Sequence, residues 1–225
     1  MELSEVMRTT PASREFADEP PEVQVPDELL HRILDDARFA PSGGNRQGVR
    51  IIAVRDPDTR RRLAELNEPA VRRYLAQSKA GESPWNPLHP PGPSAEEIAA
   101  TGVPASFTEP LLTCGVVLVV TVDLGVVAAM DQDLDRIGLV SGASVYPLVW
   151  NILLAARAEG LGGTITTMAV AREDAVRELL GVPEGYAVAA VVPLGRPAKQ
   201  ITKLTRRPVE EFVTWERFDG AGVSG

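Results

Sequence analysis

Residues 144–158, SVYPLVWNILLAARA, constrain the chain more than any other stretch. Nearly every position is apolar or small, so a helix here has almost no face to offer water. It must be buried on all sides within its own domain, or be covered on one side by a partner chain. Gly160 and Gly162 follow as left-handed caps.

The apolar run at 111–130 adds a second constraint. It is rich in β-branched residues and broken at Asp123-Leu124-Gly125, which predicts a buried strand over 115–122 and not a membrane span. Residues 26–40 carry apolar side chains at 29, 30, 33, 34 and 37, predicting a helix with Asp27 as N-cap and Pro41 as its stop. A strand, GVRIIAVRD, comes next, and a short helix begins at Asp56, where TRRRLAEL reads as a solvated surface. TITTMAV is a short strand or extended loop, REDAVRELLGVP an amphipathic helix, and YAVAAVVPLGRP a strand ending in a turn. With no repeat and no linker, residues 1–225 read as a single domain. One segment departs from this order: SPWNPLHPPGP has five prolines in eleven residues, within an irregular insertion at about 81–110. Such an insertion is expected to act as a lid, with Trp85 and His89 placed to touch a substrate; the alternative is a tryptophan that holds the loop on its own domain.

A net charge of −8 argues against a nucleic-acid partner, yet leaves room for one phosphate in a local basic pocket. The single cysteine, Cys114, lies inside an apolar run and reads as a buried packing residue. One cysteine and no apolar leader predict a cytoplasmic protein. Dinucleotide and Walker glycine motifs are absent, and His31 and His89 stand alone, so no metal site or histidine triad is expected. Catalysis would then depend on a bound cofactor. PSGGNRQ at 41–47 lets backbone approach a flat or anionic ligand and offers donors and acceptors at Ser42, Asn45 and Gln47. MRTTPASREF contributes Arg8 and Arg14 with hydroxyls between them, GGTITT the adjacent Thr166 and Thr167, and KLTRRP Arg206 and Arg207.

In order and spacing these blocks, with ARFAPSGGNRQ, SGASVYPLVWNILLAARAEGLGGTITT and VPLGRPAKQITKLTRRPVEEF, resemble the FMN-dependent nitroreductase family from Arg8 to about Asp219. The resemblance implies an α+β fold, a mixed and largely antiparallel sheet flanked by helices, in an intertwined homodimer with FMN at the interface. It places Arg8 and Arg206 on the FMN phosphate, with Thr9 or Thr10 replacing a serine of the family's tighter first motif. Arg14 would face the flavin O2 edge and ribityl chain. Pro41, Ser42, Gly43 and Asn45 would wrap the cofactor, and Gly163, Thr164, Thr166 and Thr167 would lie along its N5 and O4 edge, Thr167 as an N5 donor. Arg207 reads as a solvated neighbour. Gly48-Val49 stands where Pro-Trp is common, so the pocket edge should be more open. The implied activity is NAD(P)H-dependent, ping-pong reduction of nitroaromatic, quinone or similar electron-poor acceptors, with no essential catalytic side chain. Open alternatives are reductive dehalogenation or desaturation of a specific metabolite, or flavin binding without catalysis.

Overall fold

In a computed structural model describing residues 1–223, the strands are β1 (Val49–Val54), β2 (Val116–Asp123), β3 (Gly162–Gly163) and β4 (Tyr186–Gly195). They form one antiparallel sheet in the order β1-β2-β4-β3. The helices are α1 (Leu3–Arg8), α2 (Pro21–Gln24), α3 (Asp27–Ala37), α4 (Pro57–Lys79), α5 (Ala95–Ala100), α6 (Glu109–Thr113), α7 (Tyr146–Ala158) and α8 (Glu173–Leu180).

Alternation along β2 explains its unbroken apolar sequence. Val116, Leu118, Val120 and Val122 pack toward α3 and α7, while Val117 and Val119 pack toward α4, α6 and α8. Both faces are covered, so neither parity of the strand can be polar. Each fully buried Val or Leu contributes about 1.5–3 kcal/mol relative to an exposed one. A bulge at Ala189 shifts the β2–β4 register, pairing Val120 with Ala190 but Thr121 with Val188. Tyr146 donates its hydroxyl to the Ala189 carbonyl at 3.2 Å, fastening the start of α7 to that irregularity.

Four local expectations need correction. Pro26, not Asp27, occupies the N-cap of α3; Asp27 is the first helical residue and pairs with Arg55. The helix starting after Asp56 is long, running 23 residues past an internal Pro69. Its charged outer side concealed an inner stripe, Leu63, Ala64, Ala70 and Val71, that is buried at helical spacing. Gly160 has the left-handed backbone expected (φ 80°), but Gly162 pairs with Gly195 in the sheet. Finally, the insertion is irregular only in its first half. From Ser94 onward it holds α5, started by a reciprocal Ser94–Glu97 capping box, then a 3₁₀ turn at Ala105–Phe107, and α6.

The first half of the insertion is tied down by α4. Gln77 donates to Glu82 at 3.0 Å and accepts from the Trp85 amide at 3.1 Å. Glu82 also accepts the Gly92 amide, and the Arg73 guanidinium lies 4.0 Å from the Trp85 ring centroid. Trp85 therefore holds the loop on its own domain.

Helix α7 is buried on one side only. Val149, Ile152, Leu153 and Ala156 enter the core, whereas Tyr146 and Trp150 stay more than 40% exposed. Among the described residues no helix is long and apolar enough to cross a membrane.

Cys114 is fully buried, and its neighbour is a charge that the sequence did not indicate. Arg60, itself buried, donates to the Leu111 and Cys114 carbonyls at 2.6 Å and approaches the thiol at 3.2 Å. Burial outweighs that cation and pushes the thiol up to about 11. Cys114 should accordingly resist iodoacetamide at pH 8 in the native protein and react within minutes in denaturant. Rapid native labelling, followed by mass, would show that the thiol is accessible.

Candidate functional site

The edge of the sheet at β3 is built from two glycines because chain lies close to both, β4 against Gly163 and the N-terminal segment against Gly162. A Cβ at Gly163 would meet the Pro193 carbonyl at 2.7 Å, and one at Gly162 would meet Ser13. The N-terminal segment runs alongside: the Ser13 amide donates to the Gly163 carbonyl at 2.9 Å. It then crosses to the chain leaving β4, where the Ala17 amide donates to the Arg196 carbonyl and the Ala198 amide to the Glu15 carbonyl. Arg14 is caught between these contacts, and Lys199 follows directly after Ala198. Backbone pairing alone thus delivers two cations from opposite ends of the chain to one place.

That place is a cleft of about 600 Å³, lined by Ser13, Arg14, Tyr74, Phe107, Glu109 and Lys199 among others. None of the ion pairs among the described residues involves Arg14 or Lys199, although Glu15 and Glu109 share the cleft. A smaller cavity of about 160 Å³ shares Arg14, Ser106 and Phe107 with it. Thr164, Ile165, Thr166, Thr167 and Met168 form one wall, and Leu111 and Pro193 add apolar surface. Thr166 is bonded in both directions to Val191 of β4 at 2.8–2.9 Å, which makes the wall rigid. Thr167 is exposed, and among the described residues neither its amide nor its hydroxyl donates to another group.

Other expected site residues lie elsewhere. Arg8 is exposed at the end of α1 and does not line the cleft. The Thr9 and Thr10 hydroxyls donate to the Glu5 and Val6 carbonyls at 2.7 Å, finishing α1, and Thr9 also accepts from Arg157 of α7. Arg206 is exposed and donates to the carbonyl of its neighbour Thr205. Trp85 and His89 line neither of the two cavities.

The loop at 41–47 sits at the far edge of the sheet, leading into β1. Gly43–Asn45 is a single 3₁₀ turn with Gly44, Asn45 and Gln47 at positive φ, held by the Gln47 amide on Ser42 Oγ at 3.1 Å and the Gly43 amide on Ser144 Oγ at 3.0 Å. Pro41, Ser42 and Gln47 line a separate cavity of about 160 Å³ with Val49, Ser144 and Leu148. Beside it, Gly48 is required by close packing, since a Cβ there would collide with Val126. The residues expected to surround one ligand therefore form two groups at opposite edges of one chain's sheet.

The cleft also holds Lys199, Ser106 and Phe107, which the sequence does not single out. The family resemblance points to Arg206 for the basic residue, and only the pairing of 15–17 with 196–198 brings Lys199 to the cleft that Arg14 lines.

The Nitroreductase family model matches residues 12–196. A Thermus thermophilus protein described as NADH dehydrogenase is 33% identical over 201 residues, covering 85% of this chain and 86% of its own. Nitroreductase A from Vibrio parahaemolyticus superposes with a TM-score of 0.68 at 21% identity, over 99% of this chain and 79% of that one. Iodotyrosine deiodinase bound to FMN and 3-iodo-L-tyrosine superposes at 0.67 with 22% identity, over 96% of this chain and all of the other. With its α+β architecture, its antiparallel sheet and a family match across most of its length, the chain belongs to the nitroreductase family.

Proposed function

We propose that this oxidoreductase binds FMN and uses NADH or NADPH to reduce electron-poor acceptors such as nitroaromatics and quinones. The observation that carries this reading is the pair of cations, Arg14 and Lys199, without an ion-pair partner among the described residues, in a cleft that opens onto the Thr164–Thr167 wall. A phosphate dianion is matched by a planar guanidinium that binds two oxygens at once and by an ammonium point charge beside it. The smaller cavity, part apolar and part threonine, suits a flat ring with a polar edge. Bound FMN would supply hydride chemistry that none of the side chains offers. Arg14 and Lys199 anchor the phosphate end, and Thr166 keeps the wall in register. Thr167 offers an uncommitted amide and hydroxyl to the ring edge.

Two copies of the chain complete the site in this reading. Loop 41–47 lies at the opposite sheet edge from Arg14, and exposed Phe39, Tyr146 and Trp150 give an apolar surface for a second copy to cover. The likeness to iodotyrosine deiodinase supports reductive dehalogenation as a second reading.

The purified protein is expected to be yellow and dimeric, with about one FMN per chain, and to lose its colour when NADH or NADPH is added without oxygen. A colourless monomer that does not take up added FMN would overturn the proposal. Reoxidation by a quinone but not by a halogenated phenol selects the first reading, and the reverse result selects the second.

A further inference from the structure

We infer that Asn67 binds an internal water molecule between α4 and the 3₁₀ turn at Met168–Arg172, and that this water steadies the turn on which the Thr164–Thr167 wall ends. Asn67 is 1% exposed, and among the described residues neither its amide nitrogen nor its amide oxygen has a hydrogen-bond partner. The other buried polar side chains of α4 behave differently. Arg60 is bonded to the Leu111 and Cys114 carbonyls, and Gln77 to Glu82 and the Trp85 amide. The helix is also interrupted at Pro69, which has no amide to give the Glu65 carbonyl, but both of those residues are exposed and meet solvent there. Asn67 faces inward, where bulk solvent does not reach.

The surroundings supply a second orphan. Helix α4 packs on the turn at Met168–Arg172, and Leu63 and Ala64, one turn before Asn67 on the same face, share a buried cluster with Ala169. Ala169 is fully buried, and its amide donates to no group among the described residues. The Thr166 carbonyl that would close its 3₁₀ bond is taken by the Val191 amide at 2.8 Å. Buried polar groups are as a rule bonded to protein or to ordered water, so two orphans on elements packed together call for a shared partner. Water suits both. It can accept from the Asn67 amide nitrogen while donating to the oxygen, as it does with a simple amide, and accept from the Ala169 amide with its other lone pair. Ala64, Ala70 and Ala169 are small enough to leave it room. The Val170 amide returns to the Thr167 carbonyl at 3.0 Å, so a turn fixed at Ala169 also fixes Thr167.

A crystal structure of the full chain, at a resolution that shows ordered water, should place one within hydrogen-bond reach of both Asn67 and the Ala169 amide. Asn67 bonded directly to protein groups at both ends, or an empty space beside it, overturns the inference. Hydrogen exchange followed by mass gives an independent test. Asn67→Leu expels the water and strands the Ala169 amide, so exchange over residues 167–172 should become about tenfold faster while β2 is unchanged. Asn67→Ser keeps a hydroxyl and space for the water, and should restore most of the protection. Slower or unchanged exchange at 167–172 in Asn67→Leu overturns the inference, because an apolar group in place of a true orphan relieves the penalty of burying it. Exchange that quickens equally along the whole chain also overturns it, since that marks a general loss of packing. If the leucine variant does not fold, the crystal structure decides alone. Neither measurement needs flavin, so failure here leaves the flavoenzyme reading intact.

Discussion

Arg14→Ala is expected to fold normally yet leave purification pale, with FMN affinity lowered roughly ten- to hundred-fold. The magnitude follows from losing charge-assisted hydrogen bonds worth about 1.5–3 kcal/mol at a site that has no substitute fork. Arg14 is exposed to the cleft and forms no ion pair among the described residues, so its removal should cost little stability. Lys199→Ala should weaken binding in the same direction and by less, because an ammonium acts as a point charge while the guanidinium binds two oxygens. The double variant should bind FMN weakly enough that flavin is lost on a desalting column. Arg206→Ala should have the smallest effect of the three, since its guanidinium is turned to Thr205 and lies outside the cleft of its own chain. Fluorescence titration with FMN ranks the variants. A larger loss for Arg206→Ala than for Lys199→Ala would return the phosphate contact to the position that family resemblance assigned.

The largest stability loss should come from Gln24. This side chain is 1% exposed at the end of α2, and its amide nitrogen lies within 2.9–3.1 Å of the Ala17, Glu19 and Thr113 carbonyls. Its oxygen accepts the Arg196 amide at 3.3 Å. One glutamine thus joins the N-terminal segment, the end of α6 and the exit of β4, the three pieces of backbone that aim Arg14 and Lys199. Gln24→Leu keeps the volume but strands several buried backbone groups, for a loss of about 3–4 kcal/mol. For a chain of this length that lowers Tm by roughly 10 °C. Urea denaturation of the flavin-free protein measures it without linkage to the cofactor. A change below about 1 kcal/mol would mean that the freed groups find other partners.

The parts of the fold legible in the sequence are those where burial leaves a local pattern. Both parities of β2 are apolar because both faces are covered, and α8 shows its stripe because only one is. The length of helix α4 is hard to read because its buried stripe is broken by polar side chains, Arg60, Asn67 and Gln77, that are buried beside Leu63, Ala64, Ala70 and Val71. As candidates, Arg14, Thr166 and the 41–47 loop were recognisable from order and spacing. That they divide between two edges was not, because strand order is a long-range property that no window of sequence carries. Lys199 was hidden for the same reason: its relation to Arg14 is made by pairing across more than 180 residues. In the insertion, tryptophan and proline draw attention to Trp85, while the cleft is lined by a plainer Ser106-Phe107 turn.

The separation of loop 41–47 from Arg14 by the width of the sheet also bears on inheritance. In the two-copy assembly proposed above, every site would take one half from each polypeptide. A lesion at Ser42 and a lesion at Arg14 would then fall in different halves. Two defective alleles, one of each kind, would regenerate a working site in their mixed dimer, while either allele alone gives none. Conversely, one chain carrying both lesions would spare one site of the mixed dimer it forms with a normal chain only if they fell in the same half; placed at opposite edges, they disable both. In that assembly the strand order of a single sheet would decide which mutations complement and which are dominant.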